Sequence, residues 1–276
     1  MILFPNCKIN IGLNITSKRN DGYHDLETVF YPIGIRDAIE VIEKYGHPPI
    51  NNIQFTMSGL PVAGDIETNL CVRAYHLLKK DFPSLPAVQM HLHKAIPAGA
   101  GLGGGSADGA FTLKLLNKKF SLGLSENQLL EYAFQLGSDV PFFILNNPCL
   151  ATGRGEILEP VNIELSAYNI LIVYPGFHIS TVWAFMNIVP AVRKKPIKEI
   201  IAEPVAAWKD ELKNDFEEPV FEKYPEIKSI KEKLYKAGAV YASMTGSGSA
   251  VYGIFEKDFK INLTFPENYF VKEVMT

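Results

Sequence analysis

Pro97-Ala98-Gly99-Ala100-Gly101-Leu102-Gly103-Gly104-Gly105-Ser106-Ala107 places five glycines in seven positions, and an apolar-periodic run follows at once. Glycines at this density free the backbone to take positive φ and remove the Cβ atoms that would keep a ligand away. From Ser106 to Phe120, Ala107, Phe111 and Leu115 form one row and Leu113, Leu116 and Phe120 the next, which is helical spacing. A glycine loop therefore opens a helix, whose first turn offers unpaired N–H groups and the positive end of the macrodipole. The guest suited to such a cradle is a phosphate. A Walker A loop is excluded, because the stretch ends Gly104-Gly105-Ser106 with no lysine. Gly99, Gly101 and Gly104 do satisfy G-x-G-x-x-G, but a dinucleotide fold needs a strand running into the first glycine and a second strand afterwards. Pro97 interrupts that entry, and the residues behind the loop read as helix.

At roughly 100 to 200 residues per domain, a chain of 276 residues makes one large or two ordinary domains. Hydrophobic residues at 47% and charged residues at 21% describe a globular protein, not a disordered one. A formal net charge of −3 supplies no global field for nucleic acid or an anionic membrane, so neither is expected as a partner. Cys7, Cys71 and Cys149 lie far apart with no C-x-x-C pair, which argues against a disulfide framework and a cysteine zinc site. There is no basic segment ahead of an apolar one at the N-terminus, and no window reaches the roughly 18 apolar residues of a spanning helix. A cytoplasmic protein is expected.

Cys7, Ile9, Ile11, Leu13 and Ile15 alternate with Lys8, Asn10, Gly12 and Asn14, the pattern of a half-buried strand with Lys8 and Asn10 on its solvated side. Asp21-Gly22 signals a hairpin turn into the apolar run Thr28 to Ile35, with Tyr23 and His24 just after it. Ala38 to Ile42 reads as a strand, and Gly46 to Asn52 as a polar loop. Asn69 caps a helix to about Phe82, with Leu70, Ala74, Leu77 and Leu78 as its stripe. Val88, Met90 and Leu92 mark the strand feeding the glycine loop. His91-x-His93 on its other face reads as exposed strand, with no third metal ligand nearby. Ser125-x-x-Gln128 is a capping box whose helix Gly137 closes, and Ser138-Asp139-Val140-Pro141 places a carboxylate between that end and an apolar run. Such a group serves as a helix cap, an ion-pair member or a chemical group. Thr152-Gly153-Arg154-Gly155-Glu156 is a turn. Tyr168 to Tyr174 is a strand, and Thr181 to Asn187, Lys198 to Trp208 and Pro225 to Ala237 are helices, the last capped by Gly238. Val240 to Met244, Ala250 to Phe255 and Tyr269 to Val274 are strands. Thr245-Gly246-Ser247-Gly248-Ser249 is too polar for a core and suits an anion or a tight turn.

In that order, Lys8-x-Asn10, Asp21-Gly22-Tyr23-His24, the loop from Pro97 to Ala107, Gly137-Ser138-Asp139-Val140-Pro141 and Thr245-Gly246-Ser247-Gly248-Ser249 resemble the motifs of the GHMP kinases. That superfamily holds galactokinase, homoserine kinase, mevalonate kinase and phosphomevalonate kinase, and the resemblance spans nearly the whole chain. It implies an α+β, two-domain GHMP kinase architecture. Residues 1–161 would form an ATP-binding domain similar to ribosomal protein S5 domain 2, and residues 162–276 a ferredoxin-like C-terminal domain. It further implies that Pro97 to Ala107 wraps the ATP phosphates, that Asn69 lies near the adenine, and that Lys8 and Asp139 do the chemistry. Mg²⁺ would bridge the phosphates, with Ser106 as its protein ligand. Asn10, Tyr23, His24, Phe185, Gly246 and Ser247 would hold the substrate, with Trp183 an alternative to Phe185. The Lys-x-Asn strand and the Asp-Gly-Tyr-His turn point to the members acting on a cytidine diphosphate sugar alcohol in non-mevalonate isoprenoid synthesis, as monomer or homodimer. Gly109 departs from the alanine often found there, which loosens the first helical turn by roughly 1 kcal/mol. Two alternatives stand beside this one. Another GHMP member would lack the Tyr23-His24 turn, and an RNA-binding module on the S5-like fold is disfavoured by the net charge of −3.

Overall fold

The computed structural model describes residues 1–46 and 52–275, so most of the loop expected from Gly46 to Asn52 lies outside the described residues. In chain order the elements are β1 (Ile2–Leu3), β2 (Asn6–Lys18), β3 (His24–Arg36), β4 (Ala38–Glu43), β5 (Ile53–Gly59), α1 (Leu70–Asp81), β6 (Val88–Lys94), α2 (Gly104–Lys119), α3 (Glu126–Leu136) and α4 (Val140–Leu145). They continue as β7 (Cys149–Thr152), β8 (Ile157–Pro160), β9 (Tyr168–Tyr174), α5 (Thr181–Met186), α6 (Ile197–Ile200), α7 (Trp208–Glu211), α8 (Glu217–Lys223), α9 (Pro225–Lys236), β10 (Tyr241–Met244), β11 (Val251–Glu256) and β12 (Phe270–Met275). Two compact units result, neither contiguous in sequence. The first holds Met1–Cys7, Ile35–Ala98 and Gly103–Asn146, and the second holds Lys8–Gly34, Gly99–Leu102 and the chain from Asn147 on. The second unit takes in the sheet ordered β2-β3-β7-β8, all of whose strands precede residue 161.

In the first unit the sheet order is β1-β4-β6-β5, with β6 antiparallel to β4 and parallel to β5. Alternation along β6 buries Val88, Met90, Leu92 and Lys94 and turns His91 and His93 outward, where they meet the hydroxyls of Thr56 and Ser58. Helix α2 packs on α1, α3 and α4. Gly109 is what lets α1 come close: a Cβ there would stand 3.0 Å from Leu70 Cβ. The glycine expected to loosen α2 thus serves the helix contact. Asn69 caps α1 through Cys71 N–H at 2.9 Å, and both bonds of the Ser125/Gln128 capping box are present. Gly137 ends α3 with φ 166°, an extended cap instead of a left-handed one.

The second unit adds an antiparallel sheet ordered β10-β11-β9-β12. Numbering its strands by sequence, the order is 2-3-1-4, the ferredoxin-like arrangement expected. Its core joins Leu171, Val173 and Val251 of the sheet to Ile227, Ile230 and Leu234 of α9. Pro225 occupies the first turn of α9 and Gly238, at φ +99°, follows its end, as the pattern predicts. The single helix expected from Lys198 to Trp208 is instead α6, a 3₁₀ turn at Val205–Ala207 and α7. Pro204 divides them, since it lacks an N–H and disfavours helical geometry at Glu203. Further elements escape the sequence pattern, among them β1, β5, α4, α8, β7 and β8. Helices α4 and α8 carry Pro141 and Pro219 in their first turns, where proline is tolerated, and the β7–β8 hairpin has strands too short to show periodicity.

Two expectations of exposure fail. Strand β2 is buried on both faces: Lys8 and Asn10 are each 3% exposed, because Thr245 seals that face at Asn10 and Leu212 and Ile197 lie against Gly12. Likewise Thr245 and Ser249 of the second glycine loop are fully buried, their hydroxyls bonded to Gly101 O and Phe177 O.

Lys94, at the inward end of β6, is the centre of a buried charge cluster. Its ammonium donates to Asp37 Oδ2 and, at 2.7 Å, to Asp108 Oδ2 of α2. Asp37 Oδ1 accepts from the Ala95 and Ile96 N–H groups at 2.6 and 2.8 Å, whereas Asp108 Oδ1 has no partner among the described residues. Burial draws the Lys94 pKa down, but the two carboxyl groups outweigh it and the net shift is upward. Burial pushes the Asp108 carboxyl up from 3.8 to about 8, against the pull of Lys94. A proton on Asp108 leaves the three groups neutral together, which is the cheaper way to bury them. The folded chain then binds more protons than the unfolded one between those two values, so this contribution to stability declines as pH rises through that window. In urea titrations the advantage of the wild type over Asp108→Asn is expected to shrink from about pH 4 to about pH 8. An advantage that grows with pH would mean the carboxyl is ionised.

Candidate functional site

Within the second unit, three segments distant in sequence converge on backbone and side-chain oxygens. Lys8 and Asn10 lie two apart on β2, so their side chains share a face. The Lys8 ammonium donates to Asn10 Oδ1 at 2.5 Å and to Gly101 O at 3.0 Å. Thr245 Oγ1 accepts from Asn10 N–H at 3.1 Å and points its own hydrogen toward Gly101 O at 3.1 Å and Asn10 Oδ1 at 3.2 Å. Asn10 Nδ2 donates to Thr28 Oγ1, and Tyr252 O–H donates to Asn10 O. Asn214 Nδ2 fixes the second glycine loop through Met244 O and Gly246 O at 2.8 and 2.9 Å. Gly101 must be glycine, since its φ is +80° and a Cβ would stand 2.0 Å from Thr245 O. Of the sequence-predicted residues, the structure thus joins Lys8, Asn10 and Gly101, with Gly246 passing 3.3 Å from Gly101 by the same measure. Thr28, Asn214, Thr245 and Tyr252 were missed as partners. Thr245 stood inside a motif that had been read, but its bond to Asn10 crosses 235 residues, and no local pattern reports that.

In the first unit the loop ends at Gly103, which starts α2 from the left-handed conformation (φ 71°) with no side-chain cap. The first intrahelical bond runs from Ala107 N–H to Gly103 O at 2.9 Å, leaving the N–H groups of Gly104, Gly105 and Ser106 without an intrahelical acceptor. At Gly105 a Cβ would meet nothing within 4 Å, so the turn faces open space there. The glycine run leads to the expectation of an anion cradle at this turn, which also carries the Ser106 hydroxyl. Asn69 spends its Oδ1 on capping α1 and donates from Nδ2 to Met57 Sδ. Asp139 is half-buried at the start of α4, and its side chain makes no cap hydrogen bond to that helix. A helix cap is therefore not its task.

Tyr23, His24, Trp183 and Phe185, the rings expected to hold the substrate, all belong to the second unit. The Arg19-to-Tyr23 turn carries Gly22 at φ +85° and leaves Tyr23 56% exposed, with the Arg154 guanidinium 4.9 Å from its ring centre. His24 stacks on Phe185 with centroids 4.9 Å apart and planes 18° from parallel, and Phe216 meets Phe185 edge-on. Trp183 packs instead against Tyr224 and Lys223. Burial, with Lys18 nearby, lowers the His24 pKa, which keeps the imidazole neutral at pH 7 and able both to donate and to accept. Ser247 Oγ lies 3.0 Å from Thr181 Oγ1, and His178 Nδ1–H donates to Gly99 O.

Models of known families match both halves of the chain: "GHMP kinases N terminal domain" over residues 69–147 and "GHMP kinases C terminal" over residues 196–262. A 4-diphosphocytidyl-2-C-methyl-D-erythritol kinase of Bacteroides fragilis is 52% identical over 261 residues, 95% of this chain and 94% of its own length. One from Cytophaga hutchinsonii is 49% identical over 269 residues, covering 97% and 96%. A crystal structure of 4-(cytidine 5'-diphospho)-2C-methyl-D-erythritol kinase superposes with a TM-score of 0.79 at 30% identity, over 92% of this chain and 90% of that one. Mevalonate kinase from Methanococcus jannaschii shares the fold at 15% identity and a TM-score of 0.67. No helix among the described residues is long and apolar enough to cross a membrane. Fold, family models and near-full-length similarity agree: this chain is an α+β enzyme that uses ATP and belongs to the GHMP kinase family.

Proposed function

We propose that the protein transfers the γ-phosphoryl group of ATP to the 2-hydroxyl of 4-diphosphocytidyl-2-C-methyl-D-erythritol, a cytoplasmic step in the non-mevalonate synthesis of isoprenoid precursors. The observation that carries this reading is the 52% identity over 95% of the chain with a relative of that name. Residues 1–161 act as the ATP-binding half and residues 162–276 as the C-terminal half.

Phosphoryl transfer passes through a loose transition state, so the protein mainly positions the reactants and offsets phosphate charge. The loop from Pro97 to Ala107 wraps the phosphates, with the N–H groups of Gly104 to Ser106 as donors, and Asn69 borders the adenine. The Ser106 hydroxyl, half-buried on the first turn of α2, would hold Mg²⁺, which would supply positive charge against that of the phosphates. The Lys8 ammonium stabilises the transferring group. Asp139 accepts the substrate hydroxyl proton as the oxygen bonds to the γ-phosphorus and the bond to the β-phosphate oxygen breaks, releasing ADP. Cytosine is sandwiched between Tyr23 and Phe185, and the neutral His24 reads its polar edge. Asn10, Gly246 and Ser247 complete the substrate contacts.

Steady-state assays with ATP and the cytidine diphosphate alcohol, run beside mevalonate and homoserine, test the substrate directly; turnover of either alternative in its place overturns the assignment. Asp139→Asn is expected to lower kcat by about 10²- to 10⁴-fold while ATP still binds. A fall of less than about tenfold would make Asp139 structural. Tyr23→Ala is expected to weaken substrate binding by about five- to 150-fold, from the roughly 1 to 3 kcal/mol of base stacking. If Tyr23 only packs under Arg154, the variant loses melting temperature and keeps its KM for the cytidine substrate.

A further inference from the structure

The four atoms Lys8 Nζ, Thr245 Oγ1, Gly101 O and Asn10 Oδ1 form a closed square. Each donor serves both acceptors, at 3.0 and 2.5 Å from Lys8 and at 3.1 and 3.2 Å from Thr245. We infer that Thr245 is a positioning residue for phosphoryl transfer, its buried hydroxyl locking the glycine loop at Gly101 to the Lys8–Asn10 strand so that ammonium and phosphate loop are held in one geometry. This rests on the roles proposed above for Lys8 and for the loop.

The square is stiff because of its surroundings. Thr245 is fully buried, so water cannot replace its hydroxyl. Its backbone is held from both sides: Thr245 N–H donates to Ala250 O at 3.0 Å, and Thr245 O accepts from Gly248 N–H at 3.1 Å. Ala250 N–H in turn reaches Ala100 O at 3.1 Å, a second tie between the two glycine loops next to the first. Asn10 is pinned at three further atoms, by Thr245 on its N–H, Tyr252 on its carbonyl and Thr28 on its Nδ2. One hydroxyl therefore accepts from the strand and donates to the loop, which neither an apolar side chain nor a pure donor can do. Without it, Asn10 N–H is buried with no acceptor and Gly101 O keeps Lys8 alone, so the loop and the ammonium are free to separate. Misplacement by about 1 Å is worth on the order of 100-fold in rate.

Thr245→Val keeps the shape and removes the hydroxyl. Thr245→Ser keeps the hydroxyl and removes the methyl. Thr245→Ala removes both and serves if the valine variant does not fold, because alanine and serine differ only in the hydroxyl. Kinetics are read below each variant's melting temperature, with the concentration of folded enzyme fixed by titration with a fluorescent ATP analogue. The expected result is a fall in kcat of about 10- to 100-fold and a raised KM for ATP in the valine or alanine variant, with serine within about threefold of wild type. A merely structural threonine would lower the melting temperature and leave kcat and KM of the folded enzyme unchanged, and that result overturns the inference. So does serine as impaired as alanine, which would assign the effect to the methyl. If the wild type itself fails to turn over the cytidine diphosphate alcohol, the substrate reading has failed. The clamp is then decided by affinity for the ATP analogue alone: weaker in the valine or alanine variant and restored in serine upholds it, while equal affinity in all four proteins overturns it.

Discussion

The carbonyl of Gly101 is held from two directions at once, by the Lys8 ammonium and the Thr245 hydroxyl, in a space where no Cβ fits. Much else in the second unit follows from that close approach. It requires glycine at the middle of the loop, a small hydroxyl at the end of β10, and a strand whose polar face points inward. It also explains why β2 is buried on both sides although its sequence alternates as if one side were wet. Asn10 bonds through its main-chain N–H, its main-chain carbonyl and both side-chain heteroatoms, so the polar face enters the interior without stranding a group.

Two lysines are buried, and their partners set what each can do. Lys94 sits between two carboxyl groups, with one proton more to balance them, so its charge is cancelled in place and ties strand β6 to helix α2. Lys8 donates to the carbonyl oxygens of Gly101 and the Asn10 side chain, which orient its ammonium. Both ammonium groups are almost fully inaccessible.

Local signals were readable wherever the cause is local. The helix after the glycine run, the Asn69 cap, the Ser125/Gln128 box, the Asp21-Gly22 turn and the Pro225 start all depend on neighbours within a few residues, and each is present. Failures occurred where a local rule met a longer-range one. Pro204 divides a helix drawn too long, whereas α4 and α8 accommodate Pro141 and Pro219 within their first turns. Gly109 read as a weak helical residue is the contact point for Leu70.

By itself the sequence determined most of the element types, the helix that the glycine loop opens and the family, because glycine spacing, caps and periodicity are written within short windows. Only the tertiary structure decided that both faces of β2 are buried, that His24 lies on Phe185 with Trp183 turned elsewhere, and that Thr245 closes the square around Lys8. Those outcomes depend on groups up to 235 residues apart arriving within hydrogen-bond distance, and the energy of such a meeting belongs to no single stretch of chain.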